Sequence, residues 1–455
     1  MPDLWKRFLL LLTILASALF LIRIAFAFVE PSYSFVDDDT YVSAAIHLLL
    51  GHQCAPVVDN VCNYEHPPLS KLLTALGFEI FGRTQVIGAE VGLGVNQLGG
   101  RFFNILMATL LVPLTYLIVK KMSGNLKMAF LAGLFVLVDP LAFTLSLTAG
   151  LDIAMVFFGM LALIPYVYGL RLGKLNSFLI TGFVFGLSLL SKETAVFIIG
   201  AFVSYVLILG EGPWKSRLLG SAEVLFGAAV VFIVGLQLFD SIFTTFPNFV
   251  NHLEAMVQYH LNASPIQINF LTQHSNCTLY LGLCPDNKSL VPHFLYSGLP
   301  LGIVQNTCTA CWAGTNPLDW FTYFPPVSFP TALVLAPNYP LVWMSFVWVP
   351  LGAVRVARRK FDSDLKPVAL AGSILVWNLA SDIWLYLDVN RVVFEWYLLP
   401  VVPAFAIGGA YLLTRPSTPR WVLYLGAAAV VIVGILLSPV VYHILYPQPQ
   451  YCNDC

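Results

Sequence analysis

Of the 455 residues only 10% are charged, against 58% hydrophobic, and the mean hydropathy is +0.80. Soluble domains carry about 25% charge, so water is excluded as the main solvent. A formal charge of −1 with a pI near 6.7 argues against a nucleic-acid partner, which calls for a strongly basic face.

Apolar runs that can cross a hydrocarbon core, about 20 residues each, fall near residues 8–28, 102–119, 128–147, 152–170, 176–191, 194–210, 218–239, 336–354, 367–387, 396–414 and 421–441. The expected fold class is therefore an all-α polytopic membrane protein with about 11 transmembrane helices and two long outer loops. Lys6 and Arg7 flank the first run as in a signal peptide, but its length and the lack of a small-residue cleavage site predict a retained helix. With the N-terminus cytoplasmic, sixteen of the 23 basic residues fall in inner segments, among them Lys120, Lys121, Arg217, Arg358 and Arg415. That asymmetry obeys the positive-inside rule, and an odd number of spans puts the C-terminus outside.

All eight cysteines, Cys54, Cys62, Cys277, Cys284, Cys308, Cys311, Cys452 and Cys455, fall in segments that charge places outside. Disulfides persist in oxidising compartments, and the competing reading is zinc at Cys308-x-x-Cys311 and Cys452-x-x-Cys455. Glycosylation triplets begin at Asn262, Asn276 and Asn287, on the same side. The chain divides into an N-terminal transmembrane module (1–239) holding the first outer loop (about 30–100), a Cys-rich outer loop (240–335), and a C-terminal transmembrane module with a short outer tail (336–455).

Two motifs in the first loop have the makings of a reaction site. Asp37, Asp38 and Asp39 stand together just past the first run, where each carboxylate needs water, a cation or a donor to stay ionised. Further on, Tyr64-Glu65-His66-Pro67-Pro68-Leu69-Ser70-Lys71 leads into residues with helical apolar spacing. Proline restricts its predecessor and suits a first helical turn, so a helix is predicted from Leu69, with Glu65, His66 and Lys71 held in fixed directions. Glu65 and His66 beside Asp38 are the candidate ligands of a divalent cation. No glycine-rich nucleotide loop occurs, which argues against ATP coupling.

Asp37-Asp38-x-x-Tyr41 and Tyr64-Glu65-His66-Pro67-Pro68-Leu69-x-Lys71 resemble the first-loop motifs of the protein O-mannosyltransferases and the lipid A aminoarabinose transferases, both of the GT-C class. The resemblance places Asp37 on the catalytic Asp and Asp38 on its acidic neighbour. Asp39 lets the register slip by one, so either of the first two is the base. Arg101 with Leu110-Leu111-Val112-Pro113-Leu114-x-Tyr116, Leu151-Asp152, Ser191-Lys192-Glu193, and Arg391-Val392-Val393-Phe394-x-x-Tyr397 are similar to later stretches of these enzymes. The second loop departs from the pattern, because the mannosyltransferases carry a β-trefoil domain there.

The resemblance implies an inverting glycosyltransferase that takes a sugar, a hexose such as mannose, from a polyprenyl- or dolichyl-phosphate donor to a protein or lipid hydroxyl. The site would face the extracellular, periplasmic or ER-lumenal side of the bilayer. Asp37 or Asp38 would be the catalytic base, and Arg101, Lys71, Arg391 and His66 would hold the donor phosphate. Tyr41, Glu65, Asp152 and Lys192 would support substrate or fold. No cofactor is required beyond the candidate divalent cation, and no nucleic acid is a partner. The alternatives are a secondary transporter, which calls for ionisable residues at mid-bilayer and an internal repeat, and a non-catalytic assembly subunit.

Overall fold

A computed structural model describes residues 4–29, 38–51, 63–81, 97–172, 175–262, 303–304, 311–312, 327–328, 334–358, 363–387, 395–439 and 441. Asp37, Arg391, seven of the eight cysteines and the triplets at Asn276 and Asn287 lie outside them. So do the side chains of Asp38, Asn262 and Cys311.

The helices in chain order are α1 (Leu4–Val29), α2 (Asp38–Leu49), α3 (Leu69–Phe81), α4 (Gln97–Ser123), α5 (Leu126–Leu137), α6 (Pro140–Ser146), α7 (Asp152–Leu161), α8 (Leu163–Tyr168), α9 (Ser177–Ser191), α10 (Ala195–Leu209), α11 (Trp214–Phe243), α12 (Phe249–Asn262), α13 (Tyr339–Ala357), α14 (Leu365–Leu387), α15 (Val402–Thr414) and α16 (Arg420–Leu436), with a 3-10 turn at Glu395–Val401 leading into α15. Among the described residues the only strands are two short antiparallel ribbons. One pairs β1 (Ile303–Val304) with β2 (Cys311–Trp312), and the other pairs β3 (Val327–Ser328) with β4 (Val334–Leu335).

Each predicted apolar run is helical. Among the described residues, six helices are long and apolar enough to cross a membrane, or seven if the α5–α6 pair, bent by 50°, is one span. Asp139 and Pro140 cause the bend: proline has no N–H to continue the α5 ladder, and Asp139 caps α6 by accepting from Ala142 N at 2.9 Å. Four predicted runs, at α7–α8, α9, α10 and α16, form shorter apolar helices.

One large apolar core runs through α1, α4, α5, α7, α10, α14 and α15. In hydrocarbon, helices gain little from excluding water and pack instead by close approach of small residues. Gly77 on α3 and Gly99 on α4 meet this way, since a Cβ on Gly77 would lie 2.0 Å from Gly99 O. Gly408 on α15 likewise leaves room for the buried Trp348 indole of α13. The first contact seats the motif helix α3 against α4, two residues before Arg101.

Candidate active site

The Asn63–Pro68 turn leads into α3 at Leu69, as the prolines predict. Its geometry is fixed from several sides. The Ser70 hydroxyl sits 3.4 Å from Leu151 O, before α7, and 3.3 Å from Ser191 O, at the end of α9. On α4, Asn104 Nδ2 donates to Thr148 O and Gly150 O, both at 2.8 Å, which holds the turn that starts α7. The start of α3, the start of α7 and the end of α9 therefore meet at one place.

Charged groups fill that place. Lys71 is fully buried, and its ammonium donates to Asn63 O and to His66 O. Burial pulls its pKa down to about 7, against the opposing pull of Glu65 and Glu193. The Glu65 carboxylate, also buried, accepts from Asn63 Nδ2 at 2.7 Å. His66 Nδ1 is 2.9 Å from Glu193 Oε2, and the Tyr41 ring lies edge-on to the His66 ring at 6.0 Å.

Asp152 is the first residue of α7 and does not act as its cap. Its carboxylate instead takes Lys192 Nζ at 2.7 Å in a nearly buried ion pair. Burial alone would lower the Lys192 pKa, but Asp152 holds it above the ordinary lysine range. Burial would likewise raise the Glu193 carboxyl; His66, followed by His260 and Lys192, holds it well below the usual carboxylate range.

Four further groups belong to this site and carry no signal in the linear motifs. α12 brings two imidazoles onto consecutive carbonyls of the motif: His252 Nε2 is 2.8 Å from Tyr64 O, and His260 Nε2 is 3.0 Å from Glu65 O. His252 Nδ1 is also 2.6 Å from Asp240 Oδ1 of α11, with both side chains fully buried. His252 thus bridges the Asp240 carboxyl and the Tyr64 carbonyl through its two ring nitrogens. The Phe246 ring stacks on it at 4.5 Å. On α14, Asp382 is buried within electrostatic reach of Lys192.

Of the remaining predicted residues, Arg101 is fully buried, with Nη1 3.4 Å from Ala27 O near the C-terminal end of α1. Asp38 is the first residue of α2. Arg391 is not described, but Tyr397, six residues on, places its ring 5.0 Å from Lys192 Nζ. The structure thus brings Lys71, His66, Glu65, Tyr41, Asp152 and Lys192 into one neighbourhood. Among the described residues, His66 is grouped with Glu193 and His260, the Glu65 carboxylate accepts from Asn63, and the Asp38 side chain expected beside them lies outside the described residues.

Residues 62–255 match the family model for dolichyl-phosphate-mannose-protein mannosyltransferase. Across 99% of this chain and 92% of its own, a subunit of the Saccharomyces cerevisiae protein O-mannosyltransferase Pmt1-Pmt2 complex, solved with the sugar donor bound, superposes with a TM-score of 0.62 at 12% identity. The chain has the GT-C fold, and its residues 62–255 resemble the protein O-mannosyltransferases. ArnT from Cupriavidus metallidurans, solved with undecaprenyl phosphate, gives a TM-score of 0.53 at 16% identity over 95% of this chain and 64% of its own. The polyprenol-phosphate-mannose–protein mannosyltransferase of Mycolicibacterium smegmatis is 32% identical over 97 residues, which are 21% of this chain and 16% of the relative. The chain spans about a third or less of the length of the curated relatives it matches. The mannosyltransferase-like stretch 62–255 holds the Tyr64–Lys71 motif, Arg101, Asp152, Lys192, Glu193, Asp240 and His252, and leaves out Asp37, Asp38, His260, Asp382 and Arg391.

Proposed function

We propose that this chain is an inverting glycosyltransferase that moves a hexose such as mannose from a polyprenyl- or dolichyl-phosphate donor to a hydroxyl of a protein or lipid acceptor. The observation that carries this reading is the buried cluster of the Tyr64–Lys71 turn, Asp152 and Lys192, built inside a chain with the mannosyltransferase fold and most of the matching stretch. Burying this many charges costs several kcal/mol per ion before pairing. An assembly subunit has no use for that expense.

The chemistry follows from the groups. The acceptor hydroxyl gives its proton to Asp37 or Asp38 as its oxygen attacks the anomeric carbon; the bond from that carbon to the phosphate oxygen breaks, and the lipid phosphate leaves from the opposite face. Configuration at the anomeric carbon inverts. A phosphate leaving group needs cations more than a proton, and Lys71, Arg101, Arg391 and His66 supply them. Lys71 suits this role because burial pulls its pKa down and a phosphate beside it would favour the ammonium form.

Eleven crossings, with the motif end outside and the tail at the outer face, accord with the positions of the eleven helical runs and with the basic residues at the opposite helix ends. Transfer from a short-chain polyprenyl-phosphate mannose, followed by mass spectrometry of the acceptor, tests the reading. Asp37→Asn and Asp38→Asn are made separately, and the base is expected to lose roughly 10²–10⁴-fold in turnover. Undiminished transfer in both variants, or none in the wild type with any polyprenyl-phosphate sugar, turns the case toward the transporter or subunit readings.

A further inference from the structure

His66, Glu193 and His260 come from three separate parts of the chain: the motif turn, the residues after α9, and α12. One ligand atom of each lies within 4.8 Å of those of the other two. His66 Nδ1 is 2.9 Å from Glu193 Oε2, and His260 Nε2 is 3.6 Å from Glu193 Oε1. The two imidazole rings are 5.3 Å apart, inclined by 52°. Two imidazoles on one tetrahedral ion, each with a metal–nitrogen bond of about 2.0–2.1 Å, place their centroids roughly 5 Å apart. The rings already have that spacing.

We propose that His66, Glu193 and His260 form a binding site for a divalent cation of the zinc class. The donor set selects the ion. Two imidazoles and one carboxylate suit zinc and its first-row neighbours, whereas magnesium and calcium favour all-oxygen shells. Three protein ligands leave at least one position open. The three side chains are 13%, 27% and 16% exposed, so water or a small anion reaches that position. Glu65 O, 3.0 Å from His260 Nε2, stands ready as a further oxygen donor.

The ion enters by exchange for the proton shared between His66 Nδ1 and Glu193 Oε2, which is released to solvent, while His260 carries its ring proton on Nδ1 and so frees Nε2 to ligate. Once bound, it ties the motif turn to the end of α9 and to α12, in parallel with the link from His252 to Tyr64. The inference does not rest on sugar transfer, and the two fail separately, because its readouts use neither donor nor turnover.

The full chain is purified in detergent, its affinity tag removed, and its metal content measured. It is then stripped with chelator and titrated with cobalt(II). A single retained equivalent of zinc is expected, together with visible cobalt absorption of a tetrahedral site and no thiolate-to-cobalt charge-transfer band, which separates this site from the cysteines. Glu193→Gln and His260→Gln are expected to weaken cobalt affinity by more than about a hundredfold. Melting temperature with and without chelator shows that each variant is folded, and the wild type alone is expected to melt lower once stripped. No metal and no cobalt band in the folded wild type overturns the proposal, as does a band of thiolate character or one that survives in a folded His66→Ala/His260→Ala double variant.

Discussion

Two ion pairs beside the same helix show how differently the two ends of the bundle treat charge. At the start of α10, Lys192 and Asp152 meet at 2.7 Å with side chains 6% and 12% exposed. Past its far end, Glu211 meets Lys366 at 2.5 Å with exposures of 82% and 42%. Two more basic residues of that far end behave alike: Lys120 lies over the Trp5 ring and Arg415 faces that of Tyr411. Such charges reach toward water and anchor a helix end. At the motif end the charges are instead buried, interlocked and tied to main-chain carbonyls, although burial there is costly. Contact length therefore does not reveal the role of a pair, and exposure does.

The widest gap should open at the most buried pair. Replacing His252 with Phe removes the imidazole that bridges buried Asp240 and Tyr64 O, so stability should fall by about 3–5 kcal/mol. Thermal melting in detergent measures it. A His252→Phe/Asp240→Leu double variant should recover most of the loss, since an apolar pair replaces an ion pair nearly neutrally. Its transfer activity should stay low, because the motif turn has lost an anchor. Full activity in the double variant would detach α12 from the site.

Lys192→Met tests the second pair. The loss should be smaller, roughly 1.5–3 kcal/mol, the range for a hydrogen bond to a charged group, because the pair keeps some contact with solvent. Lys192→Arg, which keeps the charge, should recover part of the stability. If Lys192→Met melts like the wild type, the buried cluster is less tightly coupled than its geometry indicates.

The contrast also explains what was legible in the sequence. Helices could be read because a span must be apolar along its whole length, a local property of about 20 consecutive residues. The start of α3 was legible for a similar reason, since Pro67 and Pro68 act on their own neighbours. Partners of the motif were not. Glu193 lies 127 residues from His66, while His252 and His260 lie 188 and 195 residues from the carbonyls they meet. Nothing local announces such pairs, and α12 falls in a stretch read as the start of a Cys-rich loop. One signal was available: His252 and His260 stand eight apart and so share a helix face. Asp139 was missed because it caps a bend inside what read as one continuous span.

The smallest effect is the most telling control. Lys366 and Glu211 are joined by a shorter contact than Lys192 and Asp152, so a reading by distance alone would rank them as the stronger pair. Water screens both charges, and ordering two long side chains offsets most of the attraction, which leaves exposed pairs at about 0–1 kcal/mol. Lys366→Ala should therefore change stability by less than about 0.5 kcal/mol and leave transfer activity unchanged. Raising the salt concentration should shrink even that difference, while the penalty of Lys192→Met should persist, because mobile ions do not reach a buried pair. A salt-insensitive loss of several kcal/mol at Lys366 would mean that the far end of the bundle holds charge as tightly as the motif end, and the distinction between anchoring and active-site charges would fail.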